Sequence, residues 1–401
     1  MGRFLRYCIL IVWLLGCLFC LESSFAYVGS APAGSVPAAY APILYSDSVD
    51  PLTPWWRNVE PRTEDPLMMG WAYRPQSLEE IPPAIEVFAP TWVYVAMDES
   101  TGLAQAYTVS ELGRETEFAA YIDTAHQAGA EVWVTAVSFT PDISDALIHN
   151  PEAVDAFIEK MIRVCRQWGA DGLNLDFENM NPEHRHDYNA FAAQVTEALH
   201  EYDLIVSADV TVPLGYDDPS NWWQCYDRAG LAESVDYVAV MAYDQHIEST
   251  DPGPVGGLDW VEEKIRLTLA EIPSDKLLLG VPFYARDFRV LADGSTKVIS
   301  VWPSQVEAML AEDTYKSGSM EFVIEEWHVK NERQPGSGVL YLEFTDQYGT
   351  LHRIWYDDEV SLAARAALAD KYHLAGVAAW VMGFSRDSYW EAMAPELPDR
   401  R

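Results

Sequence analysis

Basic residues are scarce in this chain: 26 Lys and Arg stand against 62 Asp and Glu, a formal net charge of −36 over 401 residues. Nucleic-acid binding depends on neutralising phosphates with Lys and Arg, so the deficit argues against it. Cysteine is scarcer still. Of the five cysteines, Cys8, Cys17 and Cys20 crowd into an N-terminal apolar run, leaving Cys165 and Cys225. Two cysteines are no disulfide framework, and Cys165 falls on a helical pattern, where a buried free thiol is the ordinary reading. Beyond the N-terminal run, where Cys17 and Cys20 fall within the apolar segment, no CxxC and no metal-type His/Cys spacing occurs, so no metal or other cofactor is expected. His184 and His186, in PEHRHDY, read as surface residues at the start of a polar helix. Long apolar runs are missing apart from residues 8–20, which fall short of the about 20 residues of a membrane span. With Arg3 and Arg6 ahead of it and Ser24-Phe25-Ala26 behind, that run reads as an export signal cleaved near Ala26. The expected product is secreted or cell-envelope associated, with no stable membrane span after cleavage.

What is present is the composition of a globular protein, 49% hydrophobic and 22% charged. Residues 27–60, rich in Ala, Pro, Ser and Gly, read as a linker, and residues 61–401 as the folded domain. There, short apolar or β-branched runs occur at 68–73, 91–97, 131–139, 172–178, 204–212, 236–244, 276–285 and 376–384. Helical patterns separate many of them, at 115–128, 151–168, 183–201, 258–271, 358–372 and 386–393; Pro151 after Asn150 suits a first helical turn. Strands alternating with helices imply a parallel sheet. Eight such units, with no GxGxxG after the first strand, predict an α/β fold of the (β/α)8 TIM-barrel type rather than an open doubly wound sheet. Residues 288–357 are too long for a loop. They contain a helical stretch around 307–311 and a hairpin pattern turning at Asp346-Gln347-Tyr348-Gly349, and so predict a small α+β insertion between the seventh and eighth strands.

The fourth run carries the chemistry. In ADGLNLDFENM, Asn174, Asp176 and Glu178 fall at every second position, on one side of a strand, with Leu173, Leu175 and Phe177 on the other. A row of carboxylates in a buried strand is costly unless it has a task. If the leucines and Phe177 face the helices, the polar row points into the barrel and Glu178 stands at the C-terminal end, where barrel enzymes keep their chemistry. Asp171, of the other parity and ahead of Gly172, reads as a structural turn residue. Two neighbouring carboxylates resist ionising together, so one holds its proton and suits a general acid. Glycoside hydrolysis commonly uses two carboxylates flanking the scissile bond, but side chains two apart on one strand cannot readily attack from opposite faces. Unless another acid serves as nucleophile, the substrate must supply it, as the carbonyl oxygen of a 2-acetamido sugar can. In VAVMAYDQH, Met241 and Tyr243 share a parity. Tyr243-Asp244 at the strand end offers a phenol donor and a further carboxylate, or simply a core tyrosine beside a capping Asp.

DGLNLDFE resembles the DxxDxDxE signature of glycoside hydrolase family 18, with Asn174 in place of the second Asp. MAYD, LLLGVPFYARDF and GVAAWVMG are similar to other strand-end segments of that family and occur in the same order, over about residues 66–395. The Asn variant resembles the branch of YaaH-type spore-cortex and peptidoglycan N-acetylglucosaminidases, although lysosomal chitobiase also has Asn there, and a chitinase- or chitobiase-like enzyme is the alternative within the family. The resemblance implies retaining, substrate-assisted hydrolysis: Glu178 as acid/base, Asp176 orienting the acetamido group, Tyr243 donating to its oxygen, and Asn174, Met241, Asp244 and Trp380 lining the sugar subsite, Trp380 as its aromatic floor. Asn at 174 can only hydrogen-bond where the family's Asp shares a proton. The implied partner is a polysaccharide containing 2-acetamido sugars, with peptidoglycan favoured over chitin or N-glycan cores. Residues 27–60 are too short and too rich in proline for the wall-binding LysM module common in that branch. Trp92, Trp133, Trp222, Trp223 and Trp260 include candidates for sugar stacking, Trp222-Trp223 foremost, while most of the 15 Trp are expected in the core or in helix packing. A non-catalytic carbohydrate-binding barrel is the rival from another class, and the presence of Glu178 speaks against it.

Overall fold

The computed structural model describes residues 58–59, 65–73, 81–113, 118–214, 221–291, 293–383 and 385–397. The expected export signal and nearly all of the expected linker lie outside the described residues. The chain folds first into β1 (Leu67–Ala72), β2 (Val87–Met97), β3 (Ala104–Thr108), β4 (Glu131–Ser138), β5 (Gly172–Phe177), β6 (Ile205–Thr211), β7 (Tyr237–Met241) and β8 (Leu277–Pro282). Six strands follow outside the barrel: β9 (Ala285–Val290), β10 (Thr296–Val301), β11 (Thr314–Ser317), β12 (Met320–Arg333), β13 (Leu340–Asp346) and β14 (Leu351–Tyr356). The chain then returns as β15 (Gly376–Trp380). Parallel pairing runs from β1 through β2, β4, β5, β6, β7, β8 and β15, and β15 pairs with β1, so the sheet closes into a (β/α)8 barrel. β3 is an antiparallel addition on the outer half of β2.

Parallel neighbours need crossovers, and helices supply them. Pro151–Trp168 shows why its sequence forms one. Asn150 sits in extended conformation ahead of Pro151, and its side chain accepts from the backbone N–H groups of Glu152 at 3.0 Å and Ala153 at 3.3 Å. Ala153, Val154, Phe157, Met161, Val164 and Cys165 make its buried stripe, and Gly169 in the left-handed region ends it. Cys165 and Cys225 are both buried free thiols.

The strands separate two cores. Leu173, Leu175 and Phe177 belong to the outer one, where Phe177 meets Tyr188 and Phe191 with ring centroids 5.6 Å away in each case. The inner one holds Met69, Trp71, Trp133, Ala239, Leu278 and Ala378. Trp133 stacks on Tyr237 at 5.5 Å and fills the barrel floor. That is why position 172 is glycine: a Cβ there would lie 2.9 Å from Cδ1 of Trp133 and 2.7 Å from the carbonyl oxygen of Ile205. Trp92 and Trp133 are therefore core residues, each 1% exposed, and not sugar platforms. Trp260 packs partly buried against the outer core, and Trp222 and Trp223 are half-buried in the short helix Asn221–Gln224.

Between β8 and β15 the six antiparallel strands form their own sheet, in the order β10-β9-β14-β13-β12-β11, with a helix at Pro303–Glu312. It has a separate apolar core that includes Val306, Met309, Leu342, Phe344 and Ile354. The sheet leaves the barrel from the C-terminal end of β8, the same end at which β5 delivers Glu178. No helix among the described residues is long and apolar enough to cross a membrane.

Candidate active site

The register of β5 between its neighbours builds the site in layers. Asn174 pairs with Thr135 of β4 on one side and Ser207 of β6 on the other. Its side chain is fully buried; Nδ2 donates to Asp209 Oδ2 at 2.7 Å, and Oδ1 accepts from the Ser207 hydroxyl at 2.7 Å. Both ends of the amide are thereby fixed. Asp176, 8% exposed, stands one layer higher. Glu178 follows past the strand end, half-buried, its backbone N–H held by the carbonyl of Ser138 at 2.9 Å.

The three inward polar residues of β5 thus rise from floor to rim as an amide, a buried acid and a half-buried acid. Asp176 and Glu178 are hydrogen-bonded to each other, which requires one of them to carry a proton. Burial pushes Asp176 up to about 7, with the bond from Glu178 acting in the opposite direction. Glu178 is raised well above the ordinary carboxyl range, by burial first and then by the charges of Asp176, Asp209 and Asp244. The charge of Asp176 favours the proton on Glu178, at the open end of the barrel. Asp176 Oδ1 is buried and meets no hydrogen-bond partner among the described residues.

Asp209 completes the cluster and was not anticipated. It is 2% exposed and raised well above the ordinary range, by burial and then by the charge of Asp176, while the amide of Asn174 lowers it. A lone Asp in LIVSADVTV, two positions beyond Ser207 and so of the same inward parity, was the available signal. Tyr226 was also missed; its hydroxyl donates to the carbonyl oxygen of Phe177 at 2.9 Å and pins the strand end that carries Glu178.

The end of β7 supplies the opposite side. Tyr243 is half-buried, with its ring 6.2 Å from that of Tyr284 in an edge-on arrangement. Its phenol is raised by burial, then by Tyr284 and by the acids Asp209, Glu178 and Asp176, so it remains a protonated donor. Asp244 adopts a left-handed backbone conformation and is exposed, yet its Oδ1 is engaged by the Tyr284 hydroxyl at 2.5 Å and by Arg286 Nη2 at 2.6 Å. Asp244 therefore ties the first strand of the insertion to the barrel rim. Met241 is half-buried beside Thr211. Trp380, half-buried at the end of β15, lies 6.3 Å from Trp71 and 6.2 Å from Tyr73 between ring centroids, and the peptide that follows it is cis. Asp171 holds the N-terminal end of the barrel instead: its Oδ2 accepts from the Val132 backbone at 2.8 Å and lies 2.8 Å from His126 Nε2.

A sequence model of the glycosyl hydrolases family 18 matches residues 133–384, from β4 to beyond β15. The chain belongs to that family. As a family 18 member it is a glycosidase, and its Asp176–Glu178 pair stands at the C-terminal end of the fourth barrel strand, Glu178 just past it. Among similar proteins is the uncharacterized glycosylase YvbX of Bacillus subtilis, 27% identical over 255 residues, which are 64% of this chain and 70% of YvbX. The cortical fragment-lytic enzyme of the same organism is 22% identical over 261 residues, 65% of this chain, and the match spans 57% of that enzyme's length. The fold is shared with a chitinase from Chromobacterium violaceum, at a TM-score of 0.70 and 19% identity, covering 84% of this chain and 100% of that one.

Proposed function

We propose that this family 18 glycosidase is exported and cleaves β-linked N-acetylglucosamine glycans, peptidoglycan first among them, by retaining, substrate-assisted catalysis. The observation that carries the reading is the Asp176–Glu178 hydrogen bond together with a buried Asp176 Oδ1 that meets no donor among the described residues. A buried acceptor without a donor costs about 1–3 kcal/mol. An acetamido N–H in the sugar subsite relieves that cost; a 2-hydroxyl could donate there too, but only the acetamido group also brings the carbonyl oxygen that attacks C1.

Glu178 gives its proton to the glycosidic oxygen as the bond from that oxygen to C1 breaks. The acetamido carbonyl oxygen forms the new bond to C1, and its nitrogen takes up positive charge. Asp176 accepts the N–H and offsets that charge, while Tyr243 donates to the acetamido oxygen and orients it for attack. Water then adds to C1, the carboxylate of Glu178 takes the water's proton, and the bond to the acetamido oxygen reopens. Two inversions leave the configuration retained. The alternative nucleophiles are poorly placed: Asp209 is buried and bonded to Asn174, and Asp244 is occupied by Tyr284 and Arg286. Trp380 at the rim gives the sugar ring an aromatic face, with Met241 beside it.

Preference for peptidoglycan rests on the acidic, export-type sequence near the spore-cortex branch and on the similarity to the cortical fragment-lytic enzyme; Asn174 does not decide it, since lysosomal chitobiase has Asn there too. Mass spectrometry of products from purified peptidoglycan and from chitin oligomers tests it. Muropeptides ending in reducing N-acetylglucosamine are expected; cleavage of chitin alone moves the enzyme to the chitinase side. Glu178→Gln is expected to lower turnover about 10²–10⁴-fold while sugar binding persists. Near wild-type turnover in that variant refutes Glu178 as the acid.

A further inference from the structure

Beside the exit of the catalytic strand lies a group of side chains that the glycosidase chemistry does not use. Asp145 sits on the helix Pro141–Ile148, and His149 caps its C-terminus. His184 ends the 3-10 turn Pro182–His184 and precedes the helix Arg185–His200, whose first turn contains Asp187. Asp145 and His149 are four apart and His184 and Asp187 three apart, so each pair shares a helical face. The fold sets these two faces against each other. Asp145, His149 and His184 each offer one ligand atom, and these atoms all lie within 4.8 Å of one another. The imidazole rings approach to 4.2 Å between centroids.

Hydrogen bonding alone leaves this group unresolved. Oδ2 of Asp187 lies 3.0 Å from Nε2 of His149 and 3.3 Å from Nδ1 of His184, so it takes the ring N–H of both. With its Nδ1 donating, a neutral His184 presents Nε2 as a lone pair. That lone pair faces Asp145 Oδ2, a second acceptor, at 4.0 Å. Asp145 Oδ1 is buried without a partner, and neither carboxylate is paired with Lys or Arg among the described residues. With His184 neutral, two lone-pair donors face each other, and either a proton or a metal cation between them satisfies both.

We propose that Asp145, His149 and His184 bind a divalent transition-metal ion of the zinc class, with Asp187 orienting the rings from behind. Imidazole and carboxylate together suit such an ion. Bonds of about 2.0–2.2 Å place tetrahedral ligands about 3.4 Å apart, so the 4.0 Å gap closes with a small side-chain movement. A carboxylate that receives the other N–H of a ligating histidine is the usual outer partner of a zinc site. The net charge of −36 favours accumulation of cations at the surface. The role is structural: Glu178 and His184 are six residues apart, and the ion fastens the connection leaving β5 to the helix that follows β4. This departs from the reading of His184 as a plain surface residue, because the sequence shows the histidine without showing Asp145 and His149 across from it.

The test uses the mature chain without a polyhistidine tag, stripped with a chelator and titrated calorimetrically with zinc chloride near neutral pH. About one equivalent is expected to bind, and the thermal midpoint is expected to rise with zinc, since a ligand of the folded state stabilises it by mass action. In His149→Gln/His184→Gln the affinity is expected to fall at least about 10–100-fold and the thermal gain to vanish. Asp145→Asn, which leaves both rings in place, provides the same readout should the double variant fold poorly. His186→Gln, an exposed histidine paired with Asp227, should leave zinc binding unchanged. Equal zinc uptake by wild type and both ligand variants, or no saturable uptake and no thermal gain in wild type, overturns the proposal.

Discussion

Asp176→Asn is the substitution in which the physics of the site is most exposed. The unfolded carboxyl titrates near its ordinary 3.8, the folded one near 7. Between those values the folded state holds a proton that the unfolded state has released, so stability falls as pH rises through the window. Asp176 imposes no penalty below about pH 4 and its full penalty above about pH 7. At about 1.4 kcal/mol per pH unit, the interval corresponds to roughly 4 kcal/mol, a large part of the 5–15 kcal/mol that holds a typical domain folded. Asparagine has nearly the same shape, still accepts the Glu178 proton, and cannot ionise. Removing the Asp176 charge also relieves Glu178, whose own rise depends on it. The variant should therefore be more stable than wild type by on the order of 3–4 kcal/mol near pH 8 and equal to it near pH 4. Urea unfolding at a series of pH values measures this, as a midpoint shift on the order of 1 M that appears only on the alkaline side. Hydrolysis by the same protein should be severely impaired, the usual relation between a strained acid site and stability. A variant less stable than wild type near pH 8, or a gain of the same size at both ends of the pH range, refutes the reasoning.

Other outcomes follow from neighbouring contacts. Asp209→Asn removes one of the charges that raise Glu178, so the alkaline limb of the kcat/KM profile should move to lower pH; an unmoved limb would show that Asp209 does not act on the acid. Gly376→Ala should lower stability by about 3 kcal/mol or more, read by thermal unfolding, because the added Cβ would fall 2.0 Å from the carbonyl oxygen of Leu67, where β15 meets β1 to close the barrel. Arg365→Ala leaves buried Asp357 without the guanidinium bonded to it at 2.9 and 3.0 Å, and leaves the carbonyl of Gly256 without its donor, for a loss of about 3–5 kcal/mol in chemical denaturation.

Much of this architecture was legible in the sequence, for identifiable reasons. All eight apolar runs are barrel strands, and the helix over 151–168 begins and ends where Asn150, Pro151 and Gly169 mark it. The two-residue period of Asn174, Asp176 and Glu178 is sufficient to put them on the inner side once the strand is known to lie in a closed barrel. What escaped was short or non-local. The helix Pro141–Ile148 has little more than two turns in which to repeat a pattern, and β3 has five residues. Asp244 and Arg286 are 42 positions apart and Asn174 and Asp209 are 35 apart, and no local periodicity ties such pairs. Asp209 itself stood in plain view, hidden by the apolar run around it. Which of the Trp candidates are core residues, as Trp92 and Trp133 are, was not legible, because residue type does not distinguish an indole that stacks on sugar from one that packs inside the fold.

The way the second sheet joins the barrel has a consequence for how such an enzyme can be altered. Its first strand, β9, and its last, β14, pair with each other, Arg286 opposite Trp355. The chain therefore leaves and rejoins the barrel at adjacent points, as through the stem of a hairpin, and the appendage carries an apolar core of its own. Such a piece is a cassette. Exchanging it at the stem would change what stands beside the C-terminal end of the barrel, while β5 and its acids remain as they are. The clasp of Arg286 and Tyr284 on Asp244 is the one fitting a replacement must reproduce, since through it the exchangeable part rests on the strand that presents Tyr243.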